Sequence, residues 1–172
     1  MFARLRVAAV VLCLLLFGSA IAPAAMAVPT FTVYPPVYMA SLFHFSGQRP
    51  DNLGVKGDRL APCPSSPNCV SSHSDDSEHS IAPLTYDTTP EAAIARLKDL
   101  LQTTENAEII EAKPNYLYAE FTSKLMGFVD DVEFFAPEGE GVVHVRSASR
   151  LGQSDLGVNR QRIEDLRKQF DG

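Results

Sequence analysis

Positive charge is in short supply in this chain. Fifteen lysines and arginines face 21 aspartates and glutamates over 172 residues, a formal net charge of −6. A surface of that sign repels polyanions, which excludes non-specific nucleic-acid binding. Signatures of chemistry are absent as well. There is no G-x-S-x-G elbow, P-loop, dinucleotide fingerprint or H-E-x-x-H, and Ser65 and Ser66 lie in a proline-rich loop without an identifiable histidine partner. Cysteine is scarce, at three, and acidic residues are missing altogether from 28–50.

The N-terminus reads as an export signal. Arg4 and Arg6 precede an almost wholly apolar stretch at 7–17, and Ala25-Met26-Ala27 puts small residues at the alternate positions that signal peptidase requires, so cleavage is expected after Ala27. The competing reading is an uncleaved anchor, because the apolar stretch 7–21 is only a few residues short of the roughly 20 a spanning helix needs. Its short length and Pro23 favour cleavage. Cys13 makes no lipobox, since Leu12 before it is not small and the position is too early. Cleavage removes two cations and no acid, leaving 13 cations against 21 acids, a charge of −8. The remaining 145 or so residues suffice for one domain with a real core.

Only Cys63 and Cys69 follow the signal, and in an oxidising compartment they are expected to pair. The loop they close is short, so chain entropy yields only about 2 to 2.5 kcal/mol. Pro64 and Pro67 already stiffen that loop, and the bridge is expected to fix a local shape. A zinc site would need further ligands, and a redox pair is usually spaced by two residues instead of five. No cofactor is implied.

Between 28 and 50 the chain is rich in proline and aromatics and shows no helical period. It reads as an arm before the domain at 51–172. Such an arm either packs on its own domain or offers Tyr34, Tyr38, Phe43 and Phe45 to a membrane-associated protein complex or a membrane surface. The SSHSDDSEHS stretch at 71–80 reads as a surface loop. His73 and His79 with Asp75, Asp76 and Glu78 show no fixed ligand spacing, so a solvated acidic loop is preferred to a metal site.

Further on, the pattern is helix, four strands, helix. PEAAIARLKDLLQ at 90–102 has Thr89 as N-cap and Pro90 at the first helical position, with Ile94, Leu97 and Leu101 on its buried face. Strand-like AEIIEA, NYLYAEFTS, GFVDDVEFFAP and GVVHVRSAS follow with short joins, and 156–170 carries Ile163, Leu166 and Phe170 on one stripe. Short joins make neighbours antiparallel, so an α+β domain is expected: a four-stranded antiparallel sheet with two helices packed on one face.

The polar residues concentrate at the end of that sheet. A compact turn at 137–141 would pair Phe135 with Val142, setting Glu133 opposite His144 and Asp131 opposite Arg146. Asp130 and Asp131 are strand neighbours pointing to opposite faces, which disfavours a catalytic dyad and favours salt bridges to Arg146 and Arg150. Arg146, Ser147, Ser149 and Arg150 also lie near the start of the last helix, with Asn159 and Arg160 in it, where a small anion would find donors. The alternative is an internal lattice. In it Asp155 caps the helix, and Asp130, Asp131, Glu133, Asp155 and Glu164 neutralise Arg146, Arg150, Arg160, Arg162 and Arg167.

CPSSPNCVSS at 63–72, GFVDDVEFF at 127–135 and RSASR followed by SDLGVNR at 146–160 together resemble the domain-of-unknown-function 1499 family, over roughly 51–170. The likeness is greatest to members from photosynthetic bacteria and plastids. It implies a single exported domain of a family without an established activity, and the function expected for the chain is a non-enzymatic binding or assembly module of the periplasm or thylakoid lumen. The alternative is a small anion-binding hydrolase using Asp131, Arg146 and Arg150.

Overall fold

The structure is a computed structural model that describes residues 45–171. The export segment and 28–44 of the arm lie outside the described residues. Helix α1, Pro90–Thr103, begins where expected: Thr89 is extended and its hydroxyl accepts from the Ala92 amide at 3.3 Å. Helix α2 spans Val158–Asp171. Its amino end is closed by the Asp155 carboxylate, which accepts from the amides of Gly157 (3.0 Å) and Asn159 (2.7 Å). Among the described residues no helix is long and apolar enough to cross a membrane.

The class is α+β, but the antiparallel sheet has six strands, not four. The expected four are β3 (Ala107–Lys113), β4 (Tyr116–Thr122), β5 (Val129–Phe135) and β6 (Val142–Ser149). The additional two are β1 (Cys69–Ser71) and β2 (Leu84–Thr85), both lying along β6, and the order is β1-β6-β5-β4-β3. Three and two residues are too few to show a period of two, so only tertiary pairing reveals them.

The register of β5 and β6 also departs from expectation. Phe135 pairs with His144, Glu133 with Arg146 and Asp131 with Ala148, a slip of two residues. The reason is the loop: Val142 and Val143 pair with β2 on the far edge of β6, and the Ala136 amide turns away to the Asn115 carbonyl at 2.9 Å. The 136–143 connection is therefore longer than a compact turn. A slip of two changes every cross-strand partner and leaves every side chain on its expected face.

One face carries the apolar core. Leu117, Ala119 and Phe121 of β4, Val132 and Phe134 of β5, and Val143 and Val145 of β6 meet Ile94, Leu97 and Leu101 of α1 and Ile163, Leu166 and Phe170 of α2. Each fully buried side chain of this size contributes about 1.5–3 kcal/mol relative to exposure. The opposite face buries a smaller cluster, Tyr116, Tyr118, Phe135 and Leu60, beneath a loop.

Candidate functional site

The loop-covered face is built by strand alternation. Residues two apart on β4 (Tyr116, Tyr118, Glu120), on β5 (Asp131, Glu133, Phe135) and on β6 (His144, Arg146, Ala148) share it. The tyrosines reach diagonally: Tyr116 lies opposite Phe135 but donates to Glu133 Oε1 at 2.9 Å, and Tyr118 lies opposite Glu133 but donates to Asp131 Oδ1 at 2.6 Å. Burial, the neighbouring carboxylates and these hydrogen bonds push both phenols up from their ordinary value near 10.

Arg150 clamps Asp131 with Nε at 3.0 Å from Oδ2 and Nη2 at 2.7 Å from Oδ1, and reaches Glu120 as well. The bonds to Asp131 come first among the causes that raise its pKa. Burial alone would raise the Glu120 carboxyl; Arg150, Arg49 and the Tyr118 hydroxyl outweigh it and hold the group below the usual range. Glu133 has no exposed surface and takes a hydrogen bond from the Gly54 amide at 2.7 Å, from the covering loop. Arg146 is more weakly held. Its Nη1 donates to Glu133 Oε2 at 3.3 Å, while its buried Nε has no hydrogen-bond partner among the described residues.

On the helix-covered face a second polar group sits at the rim of the core. Arg162 pairs with Asp130 and donates to Ser147 Oγ (2.9 Å) and Asn159 Oδ1 (2.7 Å). The fully buried Asn159 amide donates to Ser149 Oγ and to the Asn68 carbonyl. Asp130 and Asp131 thus serve different faces. Four of the five arginines weighed from the sequence meet a carboxylate: Arg146 with Glu133, Arg150 with Asp131, Arg162 with Asp130, Arg167 with Glu164. Arg160 instead donates to the carbonyls of Ser80 and Glu78, and Asp155 is taken up by the helix amides.

His144 belongs to neither group. Its Nδ1 lies 3.1 Å from Ser72 Oγ, its Nε2 lies 3.0 Å from Glu140 Oε2, and its ring stacks on His73 at 4.0 Å. Hydroxyl, imidazole and carboxylate in a row have the form of a nucleophile relay. The Ser72 oxygen, however, accepts the Val145 amide of β6 at 2.9 Å. A lone pair held by a strand amide makes this hydroxyl a clip between strands, with its nucleophilicity reduced. The sequence concealed the relay because Ser72 lies 72 residues from His144, a separation that only folding closes. Tyr116, Tyr118 and Glu120 were missed too, although their period of two matches that of Asp131 and Glu133.

Cys63 and Cys69 are bridged, with an S–S distance of 2.03 Å. Beside the bridge opens a cleft of about 590 Å³ lined by Asn52, Lys56, Arg59, Leu60, Cys63, His73 and His79 among others. A second concavity of about 570 Å³ lies at Tyr86, Arg96 and Phe170. Asp130, Asp131, Glu133, Arg146 and Arg150 line neither. Among the described residues no group of three His, Cys, Asp or Glu side chains is placed to hold a metal ion.

A family model described as "Protein of unknown function (DUF1499)" matches residues 59–170, which include all six strands and nearly all of both helices. No curated protein and no solved structure matches the chain.

Proposed function

We propose, for a chain that belongs to the DUF1499 family of proteins of unknown function, that it is an exported, non-enzymatic binding or assembly module of the periplasm or thylakoid lumen. One observation carries this reading: the carboxylates and guanidiniums of the sheet that were candidates for acid–base chemistry, Asp130, Asp131, Glu133, Arg146 and Arg150, are buried in ion pairs and line neither of the two concavities. Catalytic groups need access to substrate as well as a poised environment. The hydrolase alternative built on Asp131, Arg146 and Arg150 lacks that access, since Asp131 is 1% and Arg146 4% exposed.

The arm at 28–50 is the proposed means of attachment to a membrane surface or membrane-associated complex. In support, its last residues lead into an apolar part of the surface. Phe45 stacks on Phe128 with ring centroids 5.7 Å apart, and Leu125 (64%), Leu151 (43%) and Phe128 (41%) are large exposed hydrophobics. Arg49 is tied to Glu120 on the sheet, so a truncation that spares the domain begins at Phe45.

The test uses the full chain, expressed with a C-terminal tag and fractionated. Mature protein starting at Val28, partly recovered with membranes and released when 28–44 is deleted, is the expected outcome. Purified protein is then assayed on generic ester and phosphate substrates beside Asp131→Asn. Turnover that this substitution abolishes in a still-folded protein would replace the binding reading with the hydrolase.

A further inference from the structure

The cleft beside the disulfide is lined by two cations, Lys56 and Arg59, held next to each other. Lys56 and Arg59 form a two-residue hairpin, exchanging both backbone hydrogen bonds at 2.9 and 3.3 Å around Gly57 (φ 56°) and Asp58 (φ 62°). Two central residues with positive φ match the pattern of a type I′ turn, and the flanking residues then stand directly opposite on one side of the ribbon. Like charges so placed repel. Elsewhere Arg49, Arg146, Arg150, Arg162 and Arg167 each have a carboxylate, whereas neither Lys56 nor Arg59 forms an ion pair among the described residues.

The rest of the cleft does not cancel that charge. Among the described residues Asp76 is the one carboxylate that lines it, and it already accepts from the amides of Glu78 and His79 and from the His79 ring at 2.8 Å. Both nitrogens of His79 face acceptors, the second being the Ser66 carbonyl at 3.2 Å, so the ring favours its cationic form. Burial opposes that charge, but the bonds to Asp76 and Ser66 prevail and raise the pKa from 6.5. Arg59 is steadied by a 3.0 Å bond to the His73 carbonyl. His73 accepts the Leu60 amide on Nδ1 at 3.4 Å, which leaves its proton on Nε2 as a further donor. Leu60, Ala61, Pro62 and Cys63 add apolar groups to the lining.

We infer that this cleft binds a small organic dianion, a phosphate monoester on an apolar body, with Lys56 and Arg59 on the phosphate and Leu60 and Pro62 against the body. A dianion answers both cations and a monocarboxylate only one. Guanidinium and ammonium are the usual phosphate ligands. About 590 Å³ is within the range of small-molecule sites. The chain as a whole is acidic, so this attraction is local and not a general affinity for anions. The inference rests on the reading of the domain as a binder, and names what it binds.

Phenyl phosphate tests both and separates them. Titrated calorimetrically into the mature protein at low salt, it should bind saturably, about tenfold or more tighter than benzoate or inorganic phosphate, with phenol not binding. Lys56→Gln/Arg59→Gln should weaken it about 100-fold without lowering the melting temperature, because the substitution relieves repulsion. Lys124→Gln, at an exposed lysine paired with Glu105, should bind as wild type. No saturable binding at millimolar phenyl phosphate, or equal binding by the double variant, overturns the inference. Release of phenol by the wild type would instead sink the non-enzymatic reading while upholding the cleft as a phosphate site.

Discussion

The two faces of one sheet solve burial in opposite ways. Under the helices, β4, β5 and β6 present Leu117, Val132, Phe134, Val143 and Val145, and the only charges are at the rim, where Asp130 meets Arg162. Under the loop, the alternate residues of the same strands present Tyr116, Tyr118, Glu120, Asp131, Glu133 and Arg146. The cover explains the difference. A helix satisfies its own backbone and offers the sheet only side chains, so apolar packing suffices. An irregular segment brings amides with no partner of their own, such as that of Gly54, and a buried carboxylate beneath it supplies the acceptor. Each carboxylate then requires a guanidinium or phenol. The polar lattice follows from covering a sheet with a loop.

That comparison is tested first by removing one keystone from each face. Arg150→Ala strands Asp131, 1% exposed, without its guanidinium and leaves Glu120 with that of Arg49 alone, and should cost about 3–5 kcal/mol in urea unfolding. Leu97→Ala, at a fully buried position of α1, should cost about 2–5 kcal/mol through the lost transfer energy and the cavity. The magnitudes overlap, but only the first should change the pH dependence of stability. An Arg150→Ala cost below about 1 kcal/mol, the range of exposed pairs, would mean the lattice is ornamental.

Arg146→Ala should cost less, about 1–3 kcal/mol, because Glu133 keeps its bonds from Tyr116 and Gly54 and because Arg146 contributes only one long bond. A loss as large as that at Arg150 would show that the unpartnered Nε is compensated in solution, for example by a bound water.

The smallest effects are read from pH. Glu120 has a depressed carboxyl pKa, so its contribution is complete above the unfolded value near 4.5 and is lost as pH falls through the folded value. Glu120→Gln should therefore flatten the stability curve below about pH 4.5. His73 is held to about 4 by burial, the stacked His144 and Arg59. Its unfolded form takes up a proton near 6.5 and its folded form does not, so stability falls between 6.5 and about 4. His79, with a raised pKa, has the opposite sign, its contribution fading as pH rises through its folded value. His73 is thus isolated by comparing wild type with His73→Asn, which should lose the decline between 6.5 and 4. An unchanged decline would place the proton uptake elsewhere.

Much of this was legible in the chain. Thr89-Pro90 marked the start of α1, Ile163, Leu166 and Phe170 marked the inner stripe of α2, and the alternation around Asp130-Asp131 correctly sent the two acids to opposite faces. These are local consequences of helical and extended geometry and need no knowledge of neighbours. Partners were less accessible. The expected opposition of Glu133 to His144 was displaced because β2 captures Val142 and Val143, a competition between segments more than 50 residues apart in sequence.

By itself, then, the sequence determined the family, the α+β class, the two helices, four of the strands, the face each acid occupies and the two cysteines that bridge. Tertiary structure alone decided the two short strands on β6, the register that gives Glu133 to Arg146, the tyrosines that reach Asp131 and Glu133, and the cleft that gathers Lys56 and Arg59 with His73 and His79. The physical reason is range. Backbone periodicity and capping act within a few residues and are written in local order, whereas pairing partners and concavities depend on loop closure between distant segments, where several registers compete and burial of the whole selects one.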